Sequence, residues 1–431
     1  MLDQKKLQAS INAFTIEKEE LQEIAAAFRY DIETGLGRRE GTSSLRMLRS
    51  YAALPTGKEQ GEFLALDFGG TNVRVLRIRL LGGGRYEILR RVAKPLAVPG
   101  VYDFAGKDAR AEDMFDFLAG LIDEAIEGER NRQYRLGHTF SFPSEQTQLA
   151  DAKLIIWTKE FAAAGVEGHE VNALLKQALL RSGIANVEPA AVINDTVAVL
   201  LAAAYHEPDT YIGSIYATGH NTCYYEAFAQ ESLPGMILNM ESGGFAKLPP
   251  NLYDQSLDAL SEKPGEQRLE KMVSGRYLGE LFGLALQDVL GLPQFYSFSA
   301  IDLSAILADA ADDRSAVRQC LQRHIGTELT AAEAESVQQL AQAVVCRSAR
   351  LVAATYCGVL WHLTGPARLR RQHIAVDGSV YEKLPLIPEN VRRAFYEILG
   401  EDAAQIDIVP ENGGSGLGAA VAAAMAENAV Q

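Results

Sequence analysis

Apolar residues recur at helical spacing early in the chain and switch to strand-like alternation from Glu62 onward, predicting a helical opening followed by a strand-rich block. Residues 1–59 read as helical: Leu21, Ile24, Ala25 and Phe28 mark one helix face, and the polar run Gly37-Arg-Arg-Glu-Gly41 follows. FLALDFGGTNVRVLRIRL reads as two strands around a Gly-Gly turn, with β-formers Val73, Val75 and Ile78 in the second strand and Gly82–Gly84 at the next turn. Met114, Phe117, Leu118, Leu121, Ile122 and Ala125 predict an amphipathic helix over 111–127, and Val171, Leu174, Leu175, Ala178 and Leu179 predict another over 170–180. The apolar run AAVIN suits a buried strand; a short helix at 196–205 leads to a second strand-rich block at 211–228. From about residue 265 the pattern is mainly helical. Its longest stretch, 331–363, leaves room for a break. Strands return at His373–Val376 and Ile406–Val409, and the Gly-rich loop ENGGSGLG opens an Ala-rich helix at Gly416–Ala426.

One internal repeat stands out. LALDFGGTNVRV (64–75) and GSIYATGHNTCY (213–224) each carry an apolar strand, a Gly-x-Asn turn (Gly70/Asn72 and Gly219/Asn221) and a second strand, which implies two hairpins of like shape in two related lobes.

Composition narrows the class. A length of 431 residues suggests two or three domains, and 48% hydrophobic with 23% charged residues is ordinary for a globular protein. A net charge of −15 disfavours nucleic acid as a partner. Cys223, Cys320, Cys346 and Cys357 are scattered, form no zinc spacing and read as reduced thiols in the core. The N-terminal residues lack the apolar stretch of a secretory signal. The longest apolar runs, Val197–Tyr205 and Leu417–Ala426, are about half a bilayer span. The expectation is a soluble, cytoplasmic protein with no membrane partner.

Several clusters could carry chemistry. Asp67-Phe-Gly-Gly-Thr-Asn72 offers unhindered backbone N–H groups for a phosphate and a carboxylate that could hold Mg²⁺ through water; the plain alternative is a hairpin turn. Ala217-Thr-Gly-His-Asn221 would grip the far side of the same phosphates. In Ile193-Asn-Asp195-Thr an apolar strand ends in polar groups at a sheet edge, so Asp195 is either a general base or a cap on the next helix. Ser141, Thr158-Lys159, Glu241 and Glu270 are polar residues in otherwise distinctive text; the bland reading is a solvated surface. Val376-Asp-Gly-Ser-Val380 and Gly413-Gly-Ser-Gly416 lie where backbone amides could face a nucleotide, or are loop punctuation. His and Cys show no nucleophile elbow or metal spacing.

Together these segments resemble the eukaryotic-type hexokinase family, including glucokinase. The resemblance runs in order from about residue 62 to 426 through LALDFGGTNVRV, LGHTFSFPSEQ, IIWTKEFAAAGVEGHEV, VINDTVAVLLAAAY, IGSIYATGHNTCYYE, KPGEQRLEKMVSGRYLGEL, IAVDGSVYEKLP and GGSGLGAAV. It implies the α/β, two-lobed actin-like ATPase (ribonuclease H-like) fold with a five-stranded sheet in each lobe and a central cleft. The small lobe would hold 60–194 plus 416–431, and the large lobe 1–59 plus 195–415. The hinge would pass near Asn194–Asp195 and Gly413–Gly416.

The implied reaction is transfer of the ATP γ-phosphoryl group to a hexose 6-hydroxyl, with glucose as the expected sugar. By the resemblance Asp195 is the base, assisted by Lys159, while Ser141, Thr158, Lys159, Asn194, Asn221, Glu241 and Glu270 hold the sugar. Asp67, Gly69, Gly70, Thr71, Asn72 and Arg74 would serve the phosphates, with Mg²⁺ on Asp67 through water. Thr218 and Gly219 would close over them, and Ser348, Gly378, Ser379 and Ser415 would lie near the nucleotide. A non-catalytic sugar sensor or a kinase for another sugar shares this frame, and the presence of Asp195 favours an enzyme. The chain departs from the family at Ser242 (usually Trp), Ala217 (usually Gly) and His220 (usually Thr or Cys). These departures lead us to expect a looser sugar pocket at Glu241 and crowding at the second phosphate turn.

Overall fold

In the computed structural model, which describes residues 2–69, 72–158, 161–227, 234–365 and 368–428, the chain opens with α1 (Gln4–Ala13) and α2 (Lys18–Gly35). Gly37 and Gly41, at φ +70° and +121°, take the backbone out of helical geometry. Residues 36–59 are then turned or extended around a two-residue strand, β1 (Leu48–Arg49), so the expectation of helix throughout 1–59 fails in its second half. Next come β2 (Gln60–Phe68), β3 (Asn72–Gly82), β4 (Arg85–Pro95), the short pair β5 (Ala97–Val98) and β6 (Tyr102–Asp103), and α3 (Ala111–Ala125). They lead to β7 (Tyr134–Phe140), the pair β8 (Ser144–Glu145) and β9 (Lys153–Leu154), α4 (Val171–Arg181), β10 (Val187–Ile193) and α5 (Asp195–His206). The second half carries β11 (Thr210–Tyr216), β12 (His220–Glu226), β13 (Met236–Asn239), α6 (Leu252–Leu260), α7 (Arg268–Val273), α8 (Gly275–Leu290), α9 (Ala300–Ala308), α10 (Ser315–Ile325) and α11 (Ala331–Thr364). It closes with β14 (Gln372–Asp377), α12 (Ser379–Lys383), α13 (Ile387–Leu399), β15 (Ile406–Pro410) and α14 (Gly414–Asn428).

The two principal sheets repeat one plan. The first has the order β4-β3-β2-β7-β10, the second β13-β12-β11-β14-β15 with β1 added at its edge. In both, the first three strands in sequence run antiparallel and the last two join in parallel. The hairpins matched in the sequence, β2–β3 and β11–β12, are therefore equivalent elements. The second sheet has six strands rather than the expected five because Leu48 and Arg49 pair with Asn239 and Leu238.

Alternation explains the sheets and continuity explains the helices between them. In β3 the buried Val73, Val75, Ile78 and Leu80 include the positions that flagged the strand. Helix α5 is apolar on every face and is buried from Thr196 to Tyr205, as an interior helix must be. It crosses α14 between the two sheets, and their side chains share one core. Small residues permit the crossing: a Cβ on Gly418 would lie 2.0 Å from the Ala198 carbonyl oxygen, and one on Gly137 would lie 1.8 Å from that of Ala419.

Helix α11 is continuous for 34 residues, so the break the pattern allowed does not occur. Thr330 and Glu333 form its capping box, and its length and apolarity, enough to cross a bilayer, serve a core in which 83% of its most apolar window is buried.

Candidate functional site

Strand β10 is a run of buried apolar residues that stops where the chain meets solvent between the sheets. Asn194 sits in extended geometry there and caps α5: its Oδ1 accepts from Thr196 N (3.0 Å) and Thr196 Oγ1 (2.8 Å). Asp195 is thus the first helical residue, and the N-cap is Asn194. The half-buried Asp195 carboxylate also accepts from Thr196 N (2.9 Å).

Two more carboxylates converge on this position. Glu241 follows β13 at φ +53°, a left-handed conformation that costs a non-glycine residue about 1 kcal/mol or more and persists here because its neighbours hold it. Asn239 Nδ2 donates to Glu241 Oε1 (2.8 Å), Glu241 N donates back to Asn239 Oδ1 (3.2 Å), and Asn221 Nδ2 donates to that same oxygen (2.9 Å). Asn221 Oδ1 in turn accepts from Ser242 N (3.1 Å). Burial pushes the Glu241 carboxyl above its ordinary range; Asn239 and Arg46 oppose this, and the charges of Asp195 and Glu270 add to it. Glu270, from the first turn of α7, accepts the His220 N–H at 3.0 Å and so fastens the second phosphate turn to the carboxylate cluster. Gly219 must be glycine or yield, since a Cβ would stand 2.9 Å from Glu270 Oε2.

Ser141 and Thr158 are half-buried and lie next in the chain to an aromatic block. Phe68 and Phe140 stack at 5.7 Å, Phe142 meets Trp157 edge-on at 4.7 Å, and Phe161 lies 5.2 Å from Trp157. Trp157 Nε1 donates to Ala163 O (2.9 Å) and Trp157 N to Glu167 Oε1 (2.7 Å), so the loop bearing Thr158 is fixed at both sides of the ring. Lys159, Gly70 and Thr71 lie outside the described residues.

The phosphate candidates fall into two groups. At the end of β2, Asp67 is opposite Arg74 in the hairpin register and beside Thr139 of β7; Ser415 Oγ donates to Asp67 Oδ2 (3.0 Å), and Arg74 Nη1 is 3.6 Å from it. Thr139 Oγ1 donates to Ser415 O (2.9 Å), so the start of α14 is tied to this strand end. Gly69 is half-buried and Asn72 exposed beside it. On the other side, the Ala217 and Thr218 carbonyls accept from Gly275 N (2.9 Å) and Arg276 N (3.1 Å), which leaves Thr218 exposed on a braced turn. Gly378 packs directly on that turn: a Cβ there would lie 2.4 Å from Tyr216 O and 2.8 Å from Ala217 Cβ. Ser379, next in the chain, is exposed.

One of the expected site residues needs correction. Ser348 is not a nucleotide contact: it is fully buried in α11, where its Oγ donates to Val273 O (2.7 Å) and shares a 2.5 Å hydrogen bond with Tyr216 Oη. Ser242, which stands where the family usually has Trp, is fully buried, and Glu241 is held through Asn239 and Asn221. The His220 ring turns into the core against Tyr216 (5.6 Å), and burial lowers it to about 4, so it adds no positive charge to the phosphate turn. The methyl of Ala217 is accommodated by the absent side chain of Gly378.

The sequence reading missed Asn239 and Asp377. Asn239 lies two residues before Glu241, on the same side of an extended chain, a signal that alternation could have supplied. Asp377 was passed over within its own motif. Burial, with Glu382, Asp195 and Glu411 close by, raises it to about 6 against the opposing Gly413 N–H.

The chain matches two family models, both described as Hexokinase, over residues 6–205 and 211–425. It is 38% identical to Hexokinase-1 of Oryza sativa subsp. japonica, covering 94% of this chain and 87% of that one. A crystal structure of a hexokinase superposes with a TM-score of 0.87 at 33% identity, covering 98% of this chain and 99% of the other. A Schistosoma mansoni hexokinase complexed with glucose gives 0.82 at 29% identity, covering 99% and 100%.

Proposed function

This chain belongs to the hexokinase family, and from that premise we propose that it transfers the γ-phosphoryl group of ATP to the 6-hydroxyl of a hexose, glucose foremost, with Asp195 as the base. Its fold is the two-lobed actin-like ATPase fold. The observation that carries the reading is the convergence of Asp195, Glu241 and Glu270 with Asn221, to which half-buried Thr158 and Ser141 would add hydroxyl partners for the sugar. Carboxylates and amides suit a rim of hydroxyls, and an unmet partner in a closed site penalises the wrong sugar.

Asp195 would accept the 6-hydroxyl proton as that oxygen attacks the γ-phosphorus. A carboxylate of ordinary pKa about 3.9 is a weak base for an alcohol. Positioning and charge neutralisation therefore do most of the work. Asn194 holds the helix start that aims Asp195, and Asn239 holds Glu241. Lobe closure excludes water as a competing acceptor.

An all-oxygen donor set suits Mg²⁺. Asp67 would hold it through water, oriented by Ser415. When bound, Mg²⁺ would neutralise phosphate charge. The four free thiols fit a reducing compartment, and we place the reaction in the cytosol. A coupled ADP-release assay with ATP and a panel of hexoses tests the proposal. Sugar-dependent turnover is expected, and its absence across the panel would overturn it.

A further inference from the structure

Helices α9 and α10 pack against each other and against α11. Cys320 and His324 are four residues apart on α10 and so share a helix face. Asp302 of α9 meets them there: its Oδ1 is 3.2 Å from His324 Nε2 and 3.9 Å from Cys320 Sγ, and the three ligand atoms all lie within 4.8 Å of one another. We propose that Asp302, Cys320 and His324 form a binding site for a borderline-soft divalent cation, Zn²⁺ foremost, with water as the fourth ligand.

The spacing supports this. Tetrahedral Zn²⁺ with bonds of about 2.0–2.1 Å to nitrogen and oxygen and about 2.3 Å to sulfur sets N···O edges near 3.4 Å and S···O edges near 3.6 Å. The two separations from Asp302 Oδ1, 3.2 Å and 3.9 Å, differ from these by roughly 0.2–0.3 Å. The donors are also braced. Asp302 Oδ2 is occupied by Ser299 N (2.9 Å) and Ser299 Oγ (2.6 Å) in the capping box of α9, which turns Oδ1 toward the cluster. The Phe298 ring, 4.6 Å from that of His324, fixes the imidazole. Cys320 is fully buried while the His324 side chain is 30% exposed, so one side of the cluster is open for ion and water entry. Burial, with Asp302 beside it, raises the Cys320 thiol to about 11, with Arg323 opposing. Binding would therefore expel the thiol proton to solvent as the S–metal bond forms. No zinc spacing was legible in the sequence because the third donor comes from 18 residues upstream on a different helix.

Such an ion would fasten α9 to α10 without touching the sugar or nucleotide residues. The test is a Co²⁺ titration of the metal-free full chain, followed by Zn²⁺ competition and thermal melts. The expected result is saturation at one equivalent with a thiolate-to-metal charge-transfer band, displacement by Zn²⁺, and a melting temperature raised by several degrees. Cys320→Ala should abolish the band. His324→Ala, which alters a partly exposed residue, should weaken binding by roughly tenfold or more. Unchanged hexose turnover in both variants would confirm that they are folded. Absence of the band at one equivalent, its persistence in Cys320→Ala, or a melting temperature unmoved by Zn²⁺ would reduce the cluster to an Asp302–His324 ion pair and overturn the proposal.

Discussion

Asp195 and Asn194 divide two tasks that one residue could have held. Because the Asn194 side chain still accepts from Thr196 N, removing the Asp195 carboxylate leaves α5 capped. Asp195→Ala should therefore fold normally and keep hexose affinity within about tenfold, while kcat falls by at least about 10²-fold, the usual range for a positioned base. Paired turnover and equilibrium binding measurements check this, and near-normal turnover would remove Asp195 from the mechanism. Asn239 makes the opposite case. It acts through Glu241, donating to Oε1 while its own Oδ1 is shared by Glu241 N and Asn221 Nδ2. Asn239→Ala should loosen Glu241 and Asn221 together. The hexose KM should rise by about tenfold, matching the loss of one or two charge-assisted hydrogen bonds, with a smaller change in kcat. A fall in kcat alone would mean that Asn239 does not position the sugar site.

At the scale of elements, legibility followed locality. The hairpins β2–β3 and β11–β12 were readable because alternation and Gly-x-Asn turns lie within a dozen residues. Asp195 was readable because an apolar strand runs straight into it. Ser348 was misplaced because no local feature distinguishes a serine that faces a ligand from one that caps a core tyrosine, and that difference lies in Tyr216, far away in sequence. The strand β1 was hidden because tertiary pairing with β13 decides it. The same holds for buried polar networks.

Glu226, at the end of β12, meets His362 of α11 (2.6 Å), Tyr224 Oη (2.8 Å) and Arg38 from the turn after α2 (3.1 Å). Burial alone would raise this carboxyl; His362, Tyr224 and Arg38 overcome it and lower the group from 4.5 to about 2. A depressed carboxyl contributes stability that is fully present above its unfolded value and lost as pH falls through the folded value. The network should therefore stabilise the large lobe at neutral pH and lose that contribution between about pH 4.5 and about pH 2. Glu226→Gln should be less stable than the parent at pH 7, with the difference shrinking across that window in denaturant melts. A constant difference would contradict the assignment.

At the scale of the whole molecule, the proposed sugar residues are split between the two sheets. Ser141 and Thr158 ride on the first sheet and its aromatic block, while Asn221, Glu241 and Glu270 belong to the second. The two sheets are joined through α5 and α14, whose first turns carry Asp195 and Ser415. A hexose that satisfies both halves would bind a closed arrangement better than an open one, and that differential affinity would shift the population. The radius of gyration measured by solution scattering should therefore fall on saturation with glucose; an unchanged value would count against closure. The crossing of α5 and α14 is the place to perturb it without touching a ligand. Gly418 faces Ala198 so closely that a methyl would stand 2.0 Å from its carbonyl oxygen, and backbone cannot yield as a flexible side chain does. Gly418→Ala should force the helices apart, lower stability by about 1–3 kcal/mol, and reduce the glucose-induced contraction. Because the sugar contacts within each lobe stay intact, affinity should weaken less than kcat, which needs Asp195 and the phosphate turns brought together. A variant with parental stability and full contraction would show that closure pivots elsewhere than on this crossing.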